Sequence, residues 1–79
     1  MHVKVRLFAT LVNCVPGTKP GIPFDSDLPN GTSISDLMER LKLPKEYVNI
    51  TFINGRIQPI DFHLKNGDRV GIFPLIGGG

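Results

Sequence analysis

The first residues of the chain alternate between apolar and polar side chains. Val3, Val5 and Leu7 are apolar, whereas Lys4 and Arg6 occupy the positions between them. Because successive side chains of a β-strand point to opposite faces, this alternation predicts a strand from Val3 to Leu7 with one buried face.

A loop and a second, shorter strand are expected next. Proline and glycine are frequent after the first strand, at Pro16, Gly17, Pro20, Gly21 and Pro23. These residues favour turns, so we predict a loop and then a strand around residues 22–28. An antiparallel hairpin is the simplest connection between the two strands.

A helical pattern follows the break at residues 29–31, Pro-Asn-Gly. Ser33 stands where a helix N-cap is expected, and the negative charge of Asp36 suits the positive end of a helix. Apolar residues then recur at helical spacing, at Ile34, Leu37, Met38 and Leu41. The pattern predicts a short amphipathic helix over residues 34–41, which Pro44 prevents from continuing.

Two Asn-Gly pairs mark turns in the second half of the chain. Asn54-Gly55 follows the β-rich run Ile50–Ile53 and precedes Ile57, which predicts a two-residue hairpin because both turn residues tolerate positive φ. Asn66-Gly67-Asp68 is expected to form a second such turn before a last strand, Arg69–Phe73. Since the first and last strands both look well buried, we expect them side by side in the middle of a mixed sheet.

The order of these elements predicts an α+β fold and a single domain over residues 1–79. The sheet should have about four to five strands, with one main helix packed on one face. No internal repeat is visible.

Composition and charge narrow the classes of function. The net charge of +2 comes from 9 basic and 7 acidic residues without a basic run, which disfavours nucleic acid as a partner. No stretch approaches membrane-spanning length, and the N-terminus lacks the apolar core of a signal peptide. A single cysteine, Cys14, suits a reducing compartment, so we expect a cytoplasmic protein without a membrane partner. His2 and His63 lack ligands at metal-site spacing, so we expect no bound metal or other cofactor.

The chain ends in Gly77-Gly78-Gly79 and a carboxylate, and we expect residues 74–79 to form a flexible tail. A frayed end or a cloning remnant is the simplest alternative. The three terminal glycines have no Cβ atoms and can, however, enter a narrow active site of another protein, where Gly79 presents an unhindered acyl carbon. Its carboxylate is a poor electrophile, so sulfur can replace oxygen there only after ATP converts it to an acyl-adenylate.

Several segments together resemble the MoaD/ThiS family of ubiquitin-like sulfur carriers over nearly the full length. They are residues 3–9 (Val-Lys-Val-Arg-Leu-Phe-Ala), 32–37 (Thr-Ser-Ile-Ser-Asp-Leu), 53–55 (Ile-Asn-Gly), 64–70 (Leu-Lys-Asn-Gly-Asp-Arg-Val), Phe73-Pro74 and Gly78-Gly79. The resemblance implies a β-grasp fold and a carrier without an active site of its own. It also implies that Gly79, preceded by Gly78, becomes a thiocarboxylate.

The same resemblance implies the partners. An E1-like adenylating enzyme of the MoeB/ThiF type would use ATP to activate the tail, and a sulfur donor protein would load it. The carrier would then serve either the large subunit of molybdopterin synthase or thiazole synthase. The long loop after the first strand favours molybdopterin, whereas Ile76 is more typical of thiamine-pathway carriers. A ubiquitin-like protein modifier and a plain interaction module remain as alternatives.

Phe8 and Phe73 end the first and last strands on the face turned away from the helix. If these strands are neighbours, the two rings lie close together. The alternative is a small second core or isolated surface apolar residues. Because matching positions in the family contact partners, we predict a docking patch made of Phe8, Phe73, Pro74, Leu75, Ile76 and Gly77.

Overall fold

A computed structural model describes residues 1–74, except the side chains at positions 47 and 49. The strands are β1 His2–Leu7, β2 Phe24–Asp27, β3 Val48–Ile53, β4 Arg56–Ile57 and β5 Arg69–Pro74. The helix α1 spans Ile34–Arg40, and 3₁₀ helices span Ala9–Cys14 and Lys45–Tyr47. The five strands form one sheet in the order β2-β1-β5-β3-β4.

The first and last strands lie side by side in the middle of this sheet. β1 and β5 run parallel, with Val5 opposite Val70 and Leu7 opposite Ile72. β2 pairs antiparallel with β1, and β3 pairs antiparallel with β5. The predicted mixed sheet with its central pair is therefore confirmed.

One face of the sheet and the helix form the core. Val3, Val5 and Leu7 of β1 are fully buried, as the alternation predicted. They belong to one apolar cluster with the residues of α1 that are also fully buried, Ile34, Leu37 and Met38. Burying one face of β1 in this way leaves the alternate residues on the opposite face of the sheet.

The helix has defined signals at both ends. The Oγ of Ser33 accepts a hydrogen bond from the N–H of Asp36, and the Asp36 carboxylate accepts one from the N–H of Ser33, which forms a capping box. At the other end Lys42 has φ +59° and the N–H of Leu43 donates to the carbonyl of Met38. This Schellman-type end stops the helix before it reaches Pro44.

The two Asn-Gly pairs behave differently. Asn54 and Gly55 have φ +54° and +84°, which confirms the predicted two-residue hairpin between β3 and β4. At the second pair only Gly67 has positive φ, and the N–H of Asp68 donates to the carbonyl of Lys65. The expectation of a second such hairpin turn is wrong, because residues 58–68 contain no strand that could pair with β5.

The connection between β1 and β2 is more ordered than the sequence suggests. Its first half is the 3₁₀ helix Ala9–Cys14, which buries Leu11 in the core. β2 is shorter than the predicted segment 22–28, and Ile22 before it remains exposed.

We predict that Ser33→Ala lowers the free energy of unfolding by about 0.5–2 kcal/mol, because the N–H of Asp36 loses its side-chain acceptor. Urea denaturation monitored by circular dichroism measures the change. The matched control is Ser35→Ala, since the Ser35 side chain lies within the helix and takes no part in the capping box. Equal effects of the two substitutions would contradict a specific role for the cap.

Candidate functional site

The face of the sheet turned away from α1 is the candidate site, and we call it the open face. It is formed by side chains or backbone of Lys4, Arg6, Phe8, Phe52, Arg69, Gly71 and Phe73. These residues line a shallow groove of about 440 Å³ across β1, β5 and β3. Strand alternation places them here, because their neighbours Val5, Leu7, Val70 and Ile72 point into the core.

Three half-buried phenylalanine rings line the groove. The rings of Phe8 and Phe73 stack with centroids 4.1 Å apart and planes 5° from parallel, so these two residues lie together as predicted. Phe52 meets Phe73 edge to face, with centroids 5.4 Å apart. Phe52 was not predicted as a member of this cluster, although it alternates with Thr51 and Ile53, which are buried on the core side.

Gly71 lies between the rings and was also missed. It pairs with Arg6 on one side and with Phe52 on the other. A Cβ at this position would lie 3.6 Å from Phe8, 3.8 Å from Phe52 and 3.9 Å from Phe73, all ordinary contact distances. The fold therefore has room for alanine here, and glycine leaves the floor of the groove without a side chain. Glycine inside a strand often marks such a place of close approach.

The remaining residues of the predicted docking patch follow Phe73 directly in the chain. Pro74 is the last residue of β5, pairs with Val48 and is buried. The strand therefore runs one residue into the segment predicted as tail, and Pro74 does not share the partial exposure of Phe73. Leu75, Ile76, Gly77, Gly78 and Gly79 lie outside the described residues, so their predicted roles stay predictions.

A network of charges borders the open face at the edge strand β2. The Nζ of Lys4 donates to Oδ1 of Asp25 over 2.8 Å. The ring of His2 spans two carboxylates, with Nδ1 2.9 Å from Asp27 and Nε2 3.1 Å from Asp25. Hydrogen bonds from Lys4 and then His2 lower the pKa of Asp25. The side-chain hydrogen bonds with Asp27 and then with Asp25 raise the pKa of His2.

The cysteine and the metal-binding side chains of residues 1–74 are weaker candidates for a functional site. Cys14 is half-buried and packs against the core. No cluster of three or more His, Cys, Asp or Glu side chains within this part of the chain could hold a metal ion. None of the helices in the same range is long and apolar enough to cross a membrane.

Comparison with known proteins identifies the family. The model of the ThiS family matches residues 5–79, which include β3, β5, the second half of β1 and the glycine tail. The chain belongs to the ThiS family. No curated protein is significantly similar to this ThiS-family chain.

Solved structures share the fold of this chain. A Pyrococcus furiosus protein described as molybdopterin converting factor, subunit 1, is 30% identical, with a TM-score of 0.70 over 96% of this chain and 99% of the other. Small archaeal modifier protein 1 of Haloferax volcanii has the same TM-score at 16% identity, over 95% of this chain and 98% of its own. At 19% identity, a Helicobacter pylori complex of subunits 1 and 2 of molybdopterin-converting factor has a TM-score of 0.61, with full coverage of both chains. These structures share the β-grasp fold of ubiquitin-like proteins.

Adjacent residues of β5 allow a test of the open face in the free protein. We predict that Ile72→Ala lowers the free energy of unfolding by about 2–5 kcal/mol, because Ile72 is fully buried. Phe73→Ala should lower the free energy of unfolding by only about 1–2 kcal/mol, because the ring is half-buried and the substitution removes a partly buried aromatic contact. Urea denaturation measures both. If Phe73→Ala lowered the free energy of unfolding by more than about 2 kcal/mol, the ring would be a core element rather than part of a surface.

The histidine at the edge of the sheet gives a pH prediction. The pKa of His2 should exceed 6.5, so its contribution to stability is complete below pH 6.5 and is lost as the pH rises through the folded-state value. Asp25, whose pKa is lowered from 3.8, contributes stability that is lost in acid, so both contributions persist between pH 3.8 and 6.5.

NMR titration of the His2 ring protons measures this shift. Asp27→Asn should lower the midpoint, because it removes the hydrogen bond that contributes most. Asp61→Asn, an exposed carboxylate outside the network, should not. A wild-type midpoint at or below 6.5 would contradict the prediction.

Proposed function

We propose that this protein is a sulfur carrier whose C-terminal Gly79 is adenylated and converted to a thiocarboxylate for molybdopterin biosynthesis. The family match carries the proposal, because it extends through the glycine tail to residue 79. The 30% identical Pyrococcus furiosus protein, described as molybdopterin converting factor subunit 1, supports the pathway. The protein would then be the small, non-catalytic subunit of a sulfur-transferring synthase.

The proposed chemistry first activates the carboxylate of Gly79 and then replaces one of its oxygens by sulfur. A carboxylate oxygen of Gly79 first attacks the α-phosphorus of ATP, and pyrophosphate leaves. A sulfur nucleophile from a donor protein then attacks the acyl carbon, and AMP leaves with the former carboxylate oxygen. If the nucleophile is a persulfide, a thiol must cleave the resulting acyl disulfide to release the thiocarboxylate. Gly79 places no side chain beside the reacting carbon, which keeps the approach open.

The reach of the tail limits how a partner can bind. Gly79 follows Pro74, the last residue of β5, by five residues. Five extended residues span at most about 17 Å, so the domain must dock within that distance of the partner's ATP site. The rings of Phe8, Phe52 and Phe73 are in a suitable place for docking, because β5 leads from this face directly to the tail.

Three kinds of partner follow from the proposal. An E1-like adenylating enzyme of the MoeB/ThiF type supplies the ATP site, a sulfur donor protein supplies the nucleophile, and a large subunit uses the thiocarboxylate. The Helicobacter pylori neighbour, a complex of subunits 1 and 2, supports a partner of the last kind. The need for ATP and the single Cys14 both suit the cytoplasm, where we place the protein.

A thiamine-pathway carrier is the second candidate, because the matching family is named ThiS and Ile76 is typical of thiamine carriers. It uses the same reaction at Gly79 and differs in the final acceptor, thiazole synthase instead of molybdopterin synthase. Supplying purified thiocarboxylated carrier to each synthase separates the two candidates. A ubiquitin-like modifier would instead give isopeptide bonds between Gly79 and lysines of other proteins.

We predict that deleting Gly79 abolishes adenylation and sulfur transfer while leaving stability nearly unchanged. The reacting carboxyl carbon moves one residue closer to the domain, and a glycine beyond the last strand buries little apolar area. Extending the chain beyond Gly79 should have the same effect. ATP-dependent pyrophosphate release with the cognate activating enzyme, followed by thiocarboxylate detection by mass spectrometry, measures the loss.

Two variants of the same length serve as controls. A semisynthetic chain ending in the carboxamide of Gly79 keeps every residue but removes the attacking oxygen, so it should be inactive. Gly79→Ala retains the carboxylate and adds one methyl group, so it should keep part of the activity. Wild-type activity of the carboxamide would exclude the Gly79 carboxylate as the reacting group. Wild-type activity of the deletion, which still ends in the carboxylate of Gly78, would contradict the predicted need for the full tail length.

A further inference from the structure

The chain contains three Asn-Gly pairs, Asn30-Gly31, Asn54-Gly55 and Asn66-Gly67. In such a pair the backbone nitrogen of the glycine can attack the side-chain amide before it, because glycine has no Cβ that would hinder the approach. The attack requires that the asparagine side chain can turn toward this nitrogen. All three pairs are exposed, so access to water does not distinguish them. Their hydrogen bonds do.

The side chain of Asn54 is held at both ends. Its Nδ2 donates to Oδ1 of Asp68 over 2.9 Å, and its Oδ1 accepts from the N–H of Arg69 over 2.9 Å. Asp68 is itself fixed, because it is buried and its second oxygen accepts from the N–H of Lys65. Turning the amide toward the nitrogen of Gly55 would break both bonds of Asn54.

The pair Asn66-Gly67 is bound to the beginning of β1. The Oδ1 of Asn66 accepts from the N–H of His2 over 2.7 Å. The N–H of Gly67 donates to the carbonyl of His2 over 2.7 Å. Both groups that would have to react, the side-chain amide and the next backbone nitrogen, are therefore already hydrogen-bonded.

The turn that contains Asn30-Gly31 is closed by other groups. The N–H and the hydroxyl of Thr32 both donate to the carbonyl of Pro29, and Nδ1 of His63 donates to the carbonyl of Gly31. Within residues 1–74, neither the side chain of Asn30 nor the N–H of Gly31 forms a hydrogen bond. The amide of Asn30 can therefore turn toward the nitrogen of Gly31 while the turn stays closed.

We propose that Asn30 is the site at which the folded protein deamidates spontaneously. The nitrogen of Gly31 gives its proton to a base in solution and forms a bond to Cγ of Asn30. The bond between Cγ and Nδ2 breaks, and the amide nitrogen takes up a proton and leaves as ammonia. Water then opens the cyclic imide at one of its two carbonyl carbons, which gives aspartate or isoaspartate at position 30. The net reaction consumes water and releases ammonia.

The isoaspartate product changes the chain just before α1. Its backbone runs through the former side chain, which adds one carbon atom to the turn between Pro29 and Thr32. Thr32 is buried, and the next residue, Ser33, is the N-cap of α1. We therefore expect the isoaspartate form to melt at a lower temperature. Aspartate keeps the length of the chain, and a negative charge near the beginning of a helix is not unfavourable.

Incubation of the purified protein in mildly alkaline buffer, followed by proteolysis and mass spectrometry, measures the conversion of each asparagine. Labelling with an isoaspartyl methyltransferase distinguishes isoaspartate from aspartate. We expect Asn30 to convert at least about tenfold faster than Asn54 or Asn66, because breaking two hydrogen bonds of ordinary net strength slows a reaction by about this factor. Conversion of Asn54 or Asn66 as fast as that of Asn30 would overturn the proposal.

The same incubation in concentrated urea tests whether the fold sets this order. Unfolding removes the hydrogen bonds of Asn54 and Asn66, and each asparagine is still followed by glycine. The three rates should therefore become similar. If Asn30 remained the fastest site by the same factor in urea, its neighbours in the sequence rather than the fold would select it, and the structural argument would fail.

Two variants at the same position complete the test. Asn30→Gln should give no product at position 30, since the longer side chain would have to close a larger ring. Asn30→Asp supplies the charge of the product at unchanged chain length, so it should melt like the wild type, whereas the isolated isoaspartate form should melt at a lower temperature. Equal melting of the isoaspartate form and Asn30→Asp would overturn the effect on α1. None of these measurements uses an activating enzyme, so their outcome does not depend on the proposed function.

Discussion

The parallel pairing of β1 with β5 is the constraint on which the rest of the structure depends. It brings the first and last strands of a 79-residue chain together in the middle of the sheet. A parallel pair cannot be joined by a tight turn, so the intervening residues must form a crossover, and α1 belongs to it. The helix covers one face of the pair, which buries Val5 and Ile72 completely. The other face stays open.

This geometry places a surface for recognition beside the beginning of the tail. In the proposed function the domain supplies the docking surface, since the rings on the open face are only half-buried while the core is complete without them. The proposed reaction belongs to the tail, whose carboxylate needs an ATP site on another protein. In a small domain with little room for a deep pocket, dividing the work in this way lets stability and chemistry depend on different residues.

Local patterns in the sequence predicted the elements whose cause is local. Alternation in β1, the cap at Ser33 and the hairpin at Asn54-Gly55 all depend on neighbours in the chain, and all appear in the structure. The stacking of Phe8 on Phe73 followed from the single assumption that the first and last strands of the chain pair. Features set by register between distant strands could not be found in this way. Phe52 joins the cluster, and Gly71 becomes the floor of the groove, only because β3 pairs with β5 in one particular register. The 3₁₀ helix Ala9–Cys14 was missed because the proline- and glycine-rich residues after it made the whole connection look like a loop, although apolar residues of the 3₁₀ helix pack on the core.

The most direct test of the account is the intact mass of the protein isolated from its native cell under conditions that do not hydrolyse thiocarboxylates. We expect a species heavier than the sequence mass by the difference between one sulfur and one oxygen, with fragmentation placing that change on Gly79. The same species should disappear when the activating enzyme is deleted. If cells that actively make molybdopterin contained only the unmodified chain, this mass would contradict the proposed thiocarboxylate at Gly79.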